Sequence, residues 1–325
     1  MLLLIVAAAV IWLALQPAGF ELEVRRVIKA TPETLFDTVR NYRTWPSWSP
    51  WLGYEPETQV TFADSPASVG GWYAWDGKKV GAGKMTHQQL TPHAAIRDQI
   101  EFLRPMKSVN EVYWQFRPQD DGTEVVWGMR ASLPFFFRWL AGMIRRSVRL
   151  DYEIGLAQLA MYVGDDSDPL TLEFNGRVEE AAFKYVALHY AGSLDEMPAA
   201  MRAGFPRLAA LVEEYGMQPS GLPLALYHKI NPQQKTVDCD MAMPVFNPQA
   251  AADLRLGEMP AQAYARTTLT GPYHHLEKAW HAAFSYLRMQ KWKFKKSAPL
   301  LERYLNDPQS TPPAEWKTAL DIPLR

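Results

Sequence analysis

The sequence predicts an α+β protein of two domains behind an apolar N-terminal segment, and three observations predict it. Residues 21–164 read as a strand, a short helix, a run of short strands separated by turns, and a long helix. Beyond residue 166 the pattern of strand and helix repeats itself. Met1 to Phe20 carries no charged side chain at all. A chain of 325 residues is also longer than one average core, so two domains are expected on size alone.

Composition narrows the function classes. Hydrophobic residues make up 48% of the chain and aromatic residues 12%, ample for packed interiors. The formal net charge is −1 and the basic residues are scattered, so no face is suited to neutralising phosphates and nucleic-acid binding is not expected. A single cysteine, Cys239, excludes an internal disulfide and a cysteine-rich zinc site.

The N-terminal segment comes first in chain order. Leu2 to Leu15 is an unbroken apolar run, and twenty helical residues span about 30 Å, the thickness of a hydrocarbon core. A cleaved secretory signal carries a basic start and a small-residue cleavage site. Here leucine follows Met1 directly, and Gln16-Pro17-Ala18-Gly19 is a poor site, so residues 1–20 read as an uncleaved single-pass anchor. Arg25, Arg26 and Lys29 follow it and nothing basic precedes it, which places the soluble domains in the cytoplasm by the positive-inside rule.

In the first domain, residues 21–164, Glu21 to Lys29 alternates apolar and charged residues as an edge strand does. Thr31-Pro32-Glu33 opens a helix: a capping hydroxyl, a proline suited to the first turn, and an acid at the positive dipole end. Asn41 to Trp51, broken by Pro46 and Pro50, cannot be a regular helix. Strands are expected over Gly71–Trp75, Lys84–Leu90, Ala95–Phe102, Ser108–Arg117 and Thr123–Ala131, with turns at Gly70-Gly71, Asp76-Gly77, Gly81 and Asp121-Gly122. Leu133 to Val163 is then helical, with Leu150, Ile154, Ala157 and Met161 on one stripe.

Ile28-Lys29-Ala30-Thr31-Pro32-Glu33-Thr34-Leu35-Phe36, Trp45-Pro46-Ser47-Trp48-Ser49-Pro50-Trp51 and Asp121-Gly122-Thr123-Glu124-Val125-Val126-Trp127 carry a resemblance to the START-like, or SRPBCC, superfamily, which includes polyketide cyclases. The resemblance implies a helix-grip fold with an apolar cavity between sheet and long helix. Trp45, Trp48 and Trp51 read as a packed cap over a core; alternation leaves open whether Trp72, Trp75, Trp114 and Trp127 face cavity or core.

The second domain, residues 167–325, starts after the polar, turn-prone Asp165-Asp166-Ser167-Asp168-Pro169. Taking Gly192 and Gly271 as origins, the same offsets give Met197, Met201, Phe205 and Leu208 in one copy and Leu276, Trp280, Phe284 and Leu287 in the other, a helical stripe in both. Each helix follows a strand-like run (Ala182–Tyr190, Gln262–Leu269). A second strand ends near Tyr227 or Tyr304, and a third closes each copy (Asp240–Val245, Thr318–Leu324). Two strand–helix–strand–strand units predict a pseudo-twofold domain with joined sheets, helices on one face and a central groove.

This duplicated unit resembles the gyrase-inhibitor-like (GyrI-like) effector-binding domain, through Leu269-Thr270-Gly271-Pro272-Tyr273, the Trp280 helix, Leu301-Glu302-Arg303-Tyr304-Leu305-Asn306-Asp307-Pro308 and Leu320-Asp321-Ile322-Pro323-Leu324. The resemblance implies that Glu302, two residues before Tyr304, sits in the groove and pairs with cationic aromatic ligands. The equivalent place in the first copy is Ala225. Tyr190, Tyr227, Tyr273, Trp280 and Tyr304 are the aromatic residues available to line such a site, where cation–π attraction would add to the charge. From the residues alone, Glu302 reads first as a surface or salt-bridged glutamate on a strand, with Arg303 beside it.

Other chemistry is absent or weak. No nucleophile elbow, phosphate loop or zinc-binding helix motif occurs. Gly81-Ala82-Gly83-Lys84 is too short for a nucleotide fingerprint; His274, His275 and His281 lack a nearby carboxylate array and read as a surface cluster. Asp238-Cys239-Asp240 alternates faces on a strand, and Lys291 to Lys296 is a basic stretch that reads as a solvated loop, contact with anionic lipid headgroups being the alternative. No cofactor or metal is called for. The sequence therefore points to a membrane-anchored sensor or carrier of hydrophobic or cationic aromatic ligands. Its rivals are a hydrolase of reactive small molecules using Glu302 as base, and a scaffold with both cavities filled.

Overall fold

The structure, a computed structural model, describes residues 1, 10–251 and 253–325. It divides into two compact units, Met1–Leu170 and Thr171–Arg325. Of the predicted anchor, residues 1–20, residues 2–9 lie outside the described residues. Residues 10–15 are helical, and Gly19 and Phe20 already belong to the first strand. Among the described residues no helix is long and apolar enough to cross a membrane, so the transmembrane expectation gains no support from the structure.

The first unit is a seven-stranded antiparallel sheet in the order β1-β7-β6-β5-β4-β3-β2. Its strands are β1 (Gly19–Ile28), β2 (Gln59–Phe62), β3 (Trp72–Asp76), β4 (Ala82–Thr91), β5 (Ala95–Arg104), β6 (Ser108–Gln119) and β7 (Gly122–Ser132). The first and last strands pair, Leu22 against Met129 and Val24 against Trp127, which brings the N-terminal strand beside the strand that feeds the long helix. Helix α1 (Pro32–Arg40) begins as expected, with the Thr31 hydroxyl accepting from the Thr34 amide at 3.3 Å. Gly122 turns the β6–β7 hairpin at φ 141°, where a side chain would run into the Ile28 carbonyl.

The long helix starts later than predicted. Pro134 is extended, Phe135–Leu140 form a 3₁₀ segment, and α2 runs from Ala141 to Tyr162. Leu150, Ile154 and Ala157 are buried, but the side chains packed on the sheet core are Tyr152, Leu156, Leu159 and Ala160.

The apolar cavity implied between sheet and helix is occupied by side chains. Trp127 lies between Trp114 and Tyr152, stacked on both, with centroids 4.2 and 3.9 Å away. Trp45 and Trp48 close over them edge-on, and all four tryptophans are at most 1% exposed. Trp114 and Trp127 thus face the interior, while Trp72 and Trp75 are half-buried.

The second unit has eight strands: β8 (Thr171–Glu180), β9 (Phe183–Ser193), β10 (Leu224–Asn231), β11 (Thr236–Pro244), β12 (Arg255–Met259), β13 (Gln262–Thr270), β14 (Leu300–Tyr304) and β15 (Lys317–Pro323). Helices α3 (Met197–Glu214) and α4 (Leu276–Met289) lie between β9 and β10 and between β13 and β14. Each copy is therefore strand–strand–helix–strand–strand, one strand more than the sequence pattern revealed. The sheet order β12-β9-β11-β10-β14-β15-β13-β8 is unchanged when the two copies are exchanged. The first strand of each copy crosses to the other, β8 pairing with β13 and β12 with β9. The β10–β14 pair joins the halves at the centre.

The face opposite the helices carries its own core. Met259 and Tyr264, from strands near opposite edges of the sheet, share one apolar cluster with Leu224, Leu226 and Leu301. Tyr185 and Ala242 on the intervening strands continue the cluster across the sheet. Asp321, fully buried on β15, takes Arg266 in a two-pronged contact (both 2.7 Å) and Arg303 at 2.8 Å.

Candidate functional site

The site forms where the two copies meet. Ala225 of β10 pairs directly with Glu302 of β14, so equivalent positions of the two copies lie opposite each other on the pseudo-twofold axis. Tyr227 and Tyr304, each two residues further on, project from the same face on either side. Two glutamates at this point would place like charges against each other; one glutamate and one alanine leave a single carboxylate on the axis.

Glu302 is 3% exposed, and three side chains donate to it. The Trp280 indole N–H reaches Oε1 at 2.6 Å. The hydroxyls of Tyr227 and Tyr304 reach Oε2 at 2.9 and 3.2 Å, a pseudo-symmetric pair converging on one oxygen. All three donors are neutral. Arg303, the cation next in sequence, points to the opposite face of the strand, where it meets Asp321. The surface or salt-bridged strand glutamate that the residues alone suggested is not what the structure places here: Glu302 is buried and its donors are neutral.

The electrostatics follow from this environment. Burial raises the Glu302 carboxyl above its ordinary value, against the pull of the Trp280, Tyr227 and Tyr304 hydrogen bonds. The same burial and the neighbouring carboxylate push the Tyr227 and Tyr304 phenols up. Both phenols therefore stay protonated and keep donating.

Around this centre the other aromatic residues form a rim. Tyr273 stands edge-on to Tyr304 at 5.7 Å and stacks on Trp316 at 4.3 Å. Phe205 of α3 meets Tyr304 edge-on at 5.1 Å. Trp280, Tyr273 and Phe205 are half-buried, whereas Tyr227 and Tyr304 are buried. Tyr190 packs on the same cluster, but its hydroxyl donates to the Ser193 carbonyl at 2.9 Å and not to Glu302. Of the residues singled out in the sequence, the structure thus brings Glu302, Tyr227, Trp280 and Tyr304 into direct contact. It sets Tyr273 at the rim and Tyr190 one step removed.

Trp316, Phe205 and Cys239 were not anticipated there. Phe205 was legible only as a helix-stripe residue, and Trp316 lies in an irregular segment with no periodicity to read. Cys239 is buried in the cluster with Tyr227 and Tyr304, its thiol pushed up to about 12 chiefly by burial, so it is a thiol and not a thiolate. Asp240, its neighbour, faces the other way and accepts from His189 at 2.9 Å and His228 at 2.8 Å, as strand alternation requires.

A duplicated sheet with a lone buried acid among aromatic side chains defines a small-molecule-binding class of domain, joined here to a helix-and-sheet domain with a tryptophan interior. Residues 178–325 match the family model for the GyrI-like small molecule binding domain, and residues 19–164 match that for polyketide cyclase/dehydrase and lipid transport. The chain thus carries one match in each of its two domains. Among solved structures, it is similar to EcmrR in its DNA complex at 15% identity, covering 58% of this chain and 70% of that one with a TM-score of 0.41. Protein CV1439 from Chromobacterium violaceum is 19% identical over 44% of this chain and 96% of its own, with a TM-score of 0.36. SAV2435, solved bound to tetraphenylphosphonium, is 13% identical over 47% of this chain and 94% of its own, with a TM-score of 0.38. No curated protein matches the sequence.

Proposed function

We propose that this chain is a membrane-tethered sensor or carrier whose second domain binds hydrophobic, cationic aromatic compounds at Glu302. The observation that carries the reading is that the three donors to this buried carboxylate are all neutral. An ionised carboxylate without a cation in an apolar interior is costly, and a ligand cation would offset that cost. Flat aromatic walls suit such a ligand and add cation–π attraction. Because Glu302 is closed off from solvent, entry requires the half-buried rim side chains Trp280, Tyr273 or Phe205 to swing aside. The uncharged stretch Met1–Phe20 supports the tether.

A hydrolytic reading draws on the same acid. A carboxyl raised by burial is a competent general base nearer neutrality, and Glu302 could deprotonate water for attack on an electrophile. The two readings part in one experiment. Titrating the full chain with tetraphenylphosphonium should give saturable binding that is lost in Glu302→Gln. Unchanged affinity in that variant overturns the sensor reading; turnover of an electrophilic substrate, abolished by the same change, establishes the hydrolase.

A further inference from the structure

The corner of the first domain where β7 leaves for the long helix carries apolar side chains that a water-facing surface does not need. Phe136 is 72% exposed, Trp139 57% and Met143 64%, with Phe137 beside them. They sit on the 3₁₀ segment and the first turn of α2. Single exposed apolar residues are ordinary, but three aromatics and a methionine within eight residues form a patch. The charge around it has one sign. Residues 133–150 contain Arg138, Arg145, Arg146 and Arg149 and no acidic residue. Arg145, Arg146 and Arg149 are exposed, and Arg149 reaches Glu153 only at 3.6 Å.

The same corner is where the apolar N-terminal segment enters the domain. Gly19 pairs with Ser132, and the Leu133 amide donates to the Ala18 carbonyl at 2.8 Å. Just before that junction Ile11, Trp12 and Leu15 are exposed, at 60%, 53% and 77%. The uncharged segment and the aromatic patch therefore emerge together.

From this juxtaposition we infer that the β7–α2 corner is a bilayer-docking surface: Phe136, Phe137, Trp139 and Met143 enter the headgroup–acyl boundary of an anionic membrane while the arginines meet lipid phosphates. The chemistry matches each part. Aromatic rings and a flexible thioether partition into the interfacial zone, and arginines at its edge find phosphates at the depth where their stems can reach them. The occupant is a lipid surface and not a second chain, because the patch adjoins the uncharged, apolar N-terminal stretch and its own segment, residues 133–150, carries four arginines and no acid. The inference deepens the tether proposed above by giving the soluble domain its own contact with the bilayer.

The test uses the full chain with phosphatidylglycerol-containing vesicles whose acyl chains are brominated. Bromine quenches only tryptophans at the bilayer, and Trp139 is isolated among the twelve by subtracting the Trp139→Phe signal. Co-sedimentation with vesicles reports the tether; the Trp139-dependent quenching reports the corner. The expected result is a Trp139-dependent quenching signal that is lost in the double variant Phe136→Asp/Phe137→Asp. For chain that binds reversibly, vesicle affinity should fall roughly fivefold in Arg145→Gln. Sedimenting chain with no Trp139-dependent quenching overturns the corner and leaves the tether standing. Trp139 shielded in a concentration-dependent dimer, without vesicles, overturns it in favour of a second copy.

Discussion

Glu302 is the residue on which most of the chemistry turns, and its stability behaviour has a definite sign. A carboxyl whose folded value is raised contributes stability that is complete below its ordinary value near 4.5 and is lost as pH rises through the folded value. Glu302→Gln removes that dependence. The variant should gain on wild type as pH climbs from about 4 to about 8, by about 1.4 kcal/mol for each unit of elevation, in urea unfolding followed at both pH extremes. A stability difference between variant and wild type that does not change with pH would show that the ionised acid is well solvated by its three donors. The family resemblance made the position of Glu302 legible, but its partners were not. The convergence of Tyr227 and Tyr304 on one oxygen comes from the pairing of Ala225 with Glu302 across the two copies, a register that no local pattern encodes. Tyr190, equally aromatic and on a neighbouring strand, spends its hydroxyl on Ser193 instead.

Among the elements, the stripes of α3 and α4 and the strands β9, β10, β11, β13, β14 and β15 were readable because periodicity marks them. Strands β8 and β12 were not, and both lie at sheet edges. Strand β8 is rich in charge, with Glu173, Arg177, Glu179 and Glu180, and is broken by Gly176 at a bulge; β12 has five residues. Edge strands keep polar residues and stay short, which is the composition that hides them. The apolar cluster on the face opposite the helices was equally invisible, since it gathers residues from strands distant in sequence. Asp321 on β15 ties neighbouring strands together through Arg266 and Arg303. Asp321→Ala leaves Arg266 and Arg303 without the carboxylate they share, and should destabilise the second domain by about 3–5 kcal/mol in denaturant unfolding. A loss below about 1 kcal/mol would show that Glu180, which also meets Arg266, suffices alone.

At the scale of the whole molecule, the two domains match different family models, and their interiors differ. The first domain stacks Trp114, Trp127 and Tyr152 through its centre, so its function is not assigned to an internal cavity. Trp127→Ala should cost that domain about 3–5 kcal/mol while leaving tetraphenylphosphonium binding by the second domain unchanged, as read by unfolding and titration of the same preparation. The two-domain division and the meander were legible from turn spacing; the filled interior was not, because alternation cannot tell a cavity wall from a core. The most direct test of the central claim is the affinity for tetraphenylphosphonium measured across pH. If a buried acid awaits a cation, binding tightens as pH rises, by up to about tenfold per unit below the folded value of Glu302, and Glu302→Gln shows no such slope. Equal, pH-independent affinity in both proteins would contradict it.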